Sequence, residues 1–256
     1  MIDLNNNIIY QTNKKKFIFI SIIVIIIVLT ILASAMQLLK YHEEGEKNLP
    51  FELKDMLIVS TADGIGKENS ENRWDLSILQ NNDIYIEFKD KVDNKRNDPL
   101  KKITIDNFNI SNGPIKGEPK LYHPVNDKDL IFVYKDENLV TDNKIEYNVA
   151  AINNVKKQEF ARDGGIIAFS SCSGDVANYV SNEDNEIKYD GSLLTKVNIT
   201  QYELKYNLSF DITVEMESNK KYKATINLEL PLENFITEGT SQKEITDFSN
   251  VEFKRV

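Results

Sequence analysis

The chain has 256 residues and a net charge of −9, with two histidines, one cysteine and one tryptophan. Residues 1–39 carry +2 (Asp3 against Lys14, Lys15 and Lys16), which leaves −11 on residues 40–256. That acidity excludes phosphate-backbone binding, so no nucleic-acid partner is expected, and a lone cysteine excludes a disulfide-held scaffold.

Residues 1–16 read as a short cytoplasmic tail and residues 17–39 as a membrane-spanning signal-anchor helix. No charge interrupts residues 17–36, and a helix over 17–39 is about 35 Å long at ~1.5 Å per residue. That suffices for a hydrocarbon core of about 30 Å. The hydroxyls of Ser21, Thr30 and Ser34 can return to helix carbonyls. Ala33-Ser34-Ala35 also fits the small-x-small pattern of a signal-peptide cut before Met36, which would release the remainder as a secreted protein. The apolar run outlasts an ordinary signal peptide and continues through Leu38 and Leu39, so an uncleaved anchor is expected, with lipid as its partner. Lys14–Lys16 before the span and Glu43, Glu44 and Glu46 after it predict a cytoplasmic N-terminus and an extracytoplasmic C-terminal domain. Residues 40–55 read as a juxtamembrane stalk that Pro50 keeps from continuing as helix.

Residues 56–256 read as one all-β extracytoplasmic domain, a two-sheet antiparallel β-sandwich or jelly roll. Residues 74–78 alternate, Asn81-Asn82-Asp83 reads as a turn, and Ile84, Ile86 and Phe88 alternate again. Ile103, Ile105, Phe108 and Ile110 follow, with a break at Asp106-Asn107. Strands are also predicted over 130–134, 145–149, 166–170, 176–180 and 194–199. The strongest signal is strict alternation over 202–216, with no bulge expected. A polar turn, Ser218-Asn219-Lys220-Lys221, leads to a second alternating run over 222–230, making an antiparallel hairpin that Pro231 ends.

No catalytic constellation stands out. His42 lies in the stalk and His123 in a loop, without zinc spacing or a nucleophile elbow. Ser218-x-x-Lys221 has the spacing of a serine–lysine pair, but in a hairpin turn its lysine stays solvated. Cys172 reads as a small buried thiol, since no nearby charge would stabilise a thiolate. Glu183, Asp184, Glu186 and Asp190 are the candidate oxygen ligands for calcium, in a loop without the regular spacing of a calcium hand. Trp74 shares the parity of Leu76 and Ile78 and reads as core. Tyr85, Tyr179 and Tyr189 are the candidate stacking platforms for a sugar. The expectation is a non-catalytic binding or structural protein of a bacterial cell envelope, with an envelope protein or polysaccharide as partner. A carbohydrate- or peptidoglycan-binding module, with or without calcium, is the alternative, and an envelope hydrolase follows it.

Overall fold

The computed structural model describes the backbone of residues 3–68, 73–91, 98–125, 130–149, 159–160, 164–181 and 192–256. It divides into two compact units, Met1–Lys47 and Asn48–Val256.

The first unit is a single helix, α1 (Asp3–Glu44). Its apolar stretch Ile22–Tyr41 has a mean hydropathy of 2.8, and none of it is buried inside the protein. This helix is a candidate membrane anchor or signal sequence. Thr30 Oγ1 donates to the carbonyls of Ile26 (2.7 Å) and Ile27 (2.9 Å), and Ser34 Oγ to that of Thr30 (2.8 Å). The Thr30 and Ser34 hydroxyls are thus satisfied within the helix. The helix ends ahead of Pro50. Gly45 takes φ +67° and its N–H donates to Tyr41 O at 3.0 Å, the left-handed stop that glycine adopts without a Cβ penalty.

The second unit is a two-sheet β-sandwich. One sheet has the order β10 (Thr240–Ile245), β1 (Phe51–Glu68), β2 (Trp74–Asp90), β7 (Gly164–Val180), β4 (Glu118–Tyr122). The other has the order β11 (Lys254–Arg255), β9 (Lys221–Leu230), β8 (Tyr206–Met216), β3 (Leu100–Ser111), β5 (Lys144–Val149), β6 (Glu159–Phe160). All pairings are antiparallel except β5 with β6. Residues 51–55, assigned to the stalk from sequence, are the start of β1, because Phe51 and Leu53 pair with Asp90 and Phe88.

The β8–β9 hairpin follows the alternation closely. From Tyr206 to Met216 the even residues are buried, and β8 pairs β9 without a shift from Tyr206↔Leu230 to Glu215↔Lys221. Against β3 the register shifts twice, between Leu100 and Lys102 and between Asp106 and Asn109; the second overlaps the break read at Asp106-Asn107, and Asn107 takes φ +53°. The outward side chains of this sheet form a charged lattice. Lys223 Nζ lies 2.8 Å from Asp211, Lys101 Nζ 2.6 Å from Glu215 and Lys102 Nζ 3.1 Å from Glu146.

Four sequence expectations are corrected. Residues 202–204 belong to a helical turn, α3 (Gln201–Leu204), because Thr200 and Glu203 form a reciprocal capping box that outweighs the alternation. Residues 192–196 form α2 (Ser192–Lys196), and Asn198 (φ +55°) and Ile199 close its end through N–H bonds to Thr195 O and Leu194 O. Residues 130–134 form no strand. Asn81-Asn82-Asp83 is not a turn: β2 runs straight through it, for the reason given below.

Two apolar clusters fill the domain. The larger lies between the sheets and centres on Phe108, Phe169 and Phe210, whose rings meet at 5.0–5.9 Å. The smaller gathers Leu76, Ile78 and Val176 with Leu193 and Leu194 of α2, Leu204 of α3 and Phe235 of α4 (Phe235–Glu238).

Candidate functional site

The inward face of β2 explains the misread turn. Leu76 and Ile78 belong to the smaller cluster and Ile84, Ile86 and Phe88 to the larger. Gln80 and Asn82, both fully buried, separate them. Asn82 Nδ2 donates to Tyr206 Oη at 2.8 Å, and Ser60 Oγ donates to Asn82 Oδ1 at 2.7 Å. The Leu232 N–H donates to Ser60 Oγ at 3.0 Å, and Tyr206 Oη shares a 2.7 Å hydrogen bond with Ser171 Oγ. Tyr206 thus reaches across the sandwich from β8 to β2 and β7. This polar waist ties the sheets together and fixes their relative register. The Asn82 amide is thus satisfied at both atoms, whereas Gln80 Nε2 donates to Asn81 O at 3.1 Å and Gln80 Oε1 has no partner among the described residues. Burial pushes the Tyr206 phenol well up, so it serves as a neutral hydrogen-bonding group.

The outward face of the same strands carries a second polar group. Asp83 pairs with Ser170, and Asn81 with Cys172. Residues 130–143, between β4 and β5, lie over this face. Tyr134 Oη donates to Asp83 Oδ1 at 3.1 Å and stands 3.4 Å from Ser170 Oγ. Phe132 packs on Tyr85 at 6.0 Å, and Tyr134 on Tyr122 edge to face at 5.3 Å. Burial raises the pKa of Asp83 despite the hydroxyls of Ser170 and Tyr134, which favour its charged form. Burial, then Asp83 and Asp63, pushes the Cys172 thiol up to about 12. Cys172 is the small buried thiol expected from sequence, in surroundings that disfavour its thiolate.

The third feature is a groove of about 510 Å³ at the end of β1, β2 and β7, lined by Ile65, Leu76, Tyr179 and Val180 among others. Ile65 is 60% exposed and Val180 46%. Trp74, expected in the core, is 41% exposed, because its strand position lies at the end of β2, opposite Glu68 of β1. Its parity is inward, but β2 begins there, so fewer neighbours remain to cover the indole.

The stacking candidates therefore separate. Tyr179 lines the groove, with Lys196 Nζ 5.6 Å from its ring centre. Tyr85 is half-buried under Phe132, and burial pushes its phenol up to about 12. Tyr189 and the calcium candidates Glu183, Asp184, Glu186 and Asp190 lie outside the described residues. Among the described residues no group of three or more His, Cys, Asp or Glu side chains has metal-holding geometry. His123 Nδ1 lies 3.0 Å from Pro124 O, a local contact with its own loop. Ser218 Oγ donates to Asp98 at 2.6 Å and its N–H to the same carboxylate at 2.9 Å. Burial works against the charge on Asp98, yet these bonds and Lys220 outweigh it and hold the carboxyl below its ordinary value. The serine–lysine spacing is thus part of a braced hairpin turn.

Sequence reasoning missed the polar waist and the aromatic cover over Asp83. The only signal for the waist was an unbroken polar run, Gln80-Asn81-Asn82-Asp83, flanked by residues of one parity.

No protein-family model, no curated protein and no solved structure matches the chain.

Proposed function

We propose that the chain is a single-pass protein of a bacterial cell envelope, anchored by α1 and carrying its β-sandwich outside the cytoplasm. Its work is to bind a partner protein, or hold a place in an assembly, without catalysing a reaction. The observation that carries this reading is the groove between Ile65 and Val180. Apolar side chains are left in water there, while the other outward sheet face is covered with paired charges. Neighbouring apolar side chains exposed around one groove mark contact with another molecule. The reactive side chains support the same reading, since Cys172 is buried and neutral and Ser218 braces a turn. Two sequence features support the topology: the basic cluster before the span, and an apolar window that runs past Ala35 to Tyr41.

A photoreactive amino acid placed at Ile65 or Val180 of the full-length protein in cells tests this. A discrete protein adduct is expected at both, and none at Asn227 on the charged sheet face. The second reading, a polysaccharide-binding module, is favoured by Tyr179 in the groove. It predicts instead that the protein sediments with purified cell-wall polysaccharide, and that Tyr179→Ala weakens this about tenfold or more, the effect of losing ~1.4 kcal/mol. Neither adduct nor sedimentation would overturn both readings.

A further inference from the structure

We propose that residues 130–143 form a strap that closes over the outward face of β2 and β7 when Asp83 is protonated and lifts from it when Asp83 ionises. The strap lacks the ladder that holds its neighbours. Residues 130–135 make no strand pairing; they are held by the Phe132–Tyr85 and Tyr134–Tyr122 contacts, by the Tyr134 hydroxyl on Asp83 and near Ser170, and by one backbone bond, from the Val125 N–H to Ile131 O. Its far end is firmer. Leu139 bridges Tyr122, the Val140 N–H donates to Leu121 O at 2.9 Å, and the His123 N–H donates to Asn138 O at 3.0 Å. At its start Leu130 takes φ +46°, a left-handed conformation that is costly for a bulky residue. A strained start, a firm far end and a few aromatic anchors between them make a segment with one place to lift.

The latch is Asp83, which the closed strap partly covers through the Tyr134 hydroxyl. The groups around it are Asp63 of β1, Tyr85 of β2, Cys172 of β7, Lys120 and Tyr122 of β4, and Tyr134 and Asp136 of the strap. Asp63 opposes a charge on Asp83. The sign follows from burial. Closing raises the pKa of Asp83 above the ordinary carboxylate value, so protonation favours the closed form. This contribution is fully present below about pH 4, the ordinary aspartate value, and is lost as pH rises through the raised pKa. Lifting uncovers Tyr85 and Tyr122, an aromatic surface beside a free carboxylate.

The experiment uses the full-length protein in detergent and two variants, Asp83→Asn and Tyr134→Phe. Asparagine keeps an acceptor for the Tyr134 hydroxyl but cannot ionise. Hydrogen exchange at the Val125 amide, which donates to Ile131 O at 2.9 Å at the lifting end, should at equal pH be faster in the wild type than in Asp83→Asn. The ratio should grow by up to about tenfold per pH unit between the ordinary and raised pKa values, and return to unity below about pH 4. Tyr134→Phe should exchange faster than Asp83→Asn throughout. A second readout is the emission of Phe132→Trp in a Trp74→Phe background, which should shift to the red over the same range only when Asp83 is present. Equal exchange in wild type and Asp83→Asn at every pH, or an emission shift that persists in Asp83→Asn, would overturn the proposal.

Discussion

Phe169→Ala should lower the stability of the sandwich by about 3–5 kcal/mol, the range for truncating a fully buried phenylalanine. Phe169 has no exposed surface and stands between Phe108 and Phe210, with ring centres 5.2 and 5.0 Å away. These three residues come from β7, β3 and β8, so the cavity would open between the two sheets. The neighbouring rings belong to different strands and cannot all move into it. Against a typical domain stability of about 5–15 kcal/mol, the loss approaches the whole. Urea denaturation of the detergent-solubilised protein, followed through the single tryptophan, would measure it. Phe132→Ala removes a ring that is only half-buried beneath solvent, and should cost clearly less. Equal effects would mean that the larger cluster is not the main core.

Tyr206→Phe should cost about 1–3 kcal/mol although it deletes one oxygen, because it strands Asn82 Nδ2 and breaks the link to Ser171 inside the protein. Asn82→Leu should cost a similar amount, by removing the acceptor of the Ser60 hydroxyl and the donor to Tyr206. The double variant should cost less than the two together, since the partners vanish in pairs and an apolar contact replaces them. A double-mutant cycle on urea midpoints measures this coupling. Additive losses would show that the waist is not a connected unit. The pair also tests what the waist contributes. Two apolar clusters on one strand face could slide by two residues without exposing anything, and a buried amide with one set of partners prevents that slip.

The waist marks where the sequence stopped being readable. Alternation identified the β8–β9 hairpin to within a few residues and a break at Asp106-Asn107 within the irregular stretch between Asp106 and Asn109, because both depend on local parity. Asn81-Asn82-Asp83 has the composition of a turn, and only its partners on β1, β7 and β8 make it the middle of a strand. Those partners are remote in sequence. Thr200 and Glu203 were readable as a capping box, yet the longer alternating run around them dominated. Residues 130–134 are a continuous apolar run that reads like a strand, yet the segment lies half-buried against the outside of a sheet through Phe132 and Tyr134 instead of pairing within one. Trp74 was placed by parity alone, and parity does not say where a strand begins. For the site, the burial of Cys172 and the turn at Ser218 were legible. The groove beside Tyr179 was not, since Ile65 and Val180 come from strands joined only through β2.

The measurement that bears most directly on the account is the location and orientation of the chain. Cells carrying a C-terminal tag are stripped of wall, half are treated with external protease, and both halves are fractionated and blotted. The account predicts a full-length band in the membrane fraction that external protease removes. A soluble, shorter band beginning at Met36 would contradict the anchor and make the sandwich a released protein. A full-length membrane band that resists protease until the cells are lysed would contradict the outward orientation.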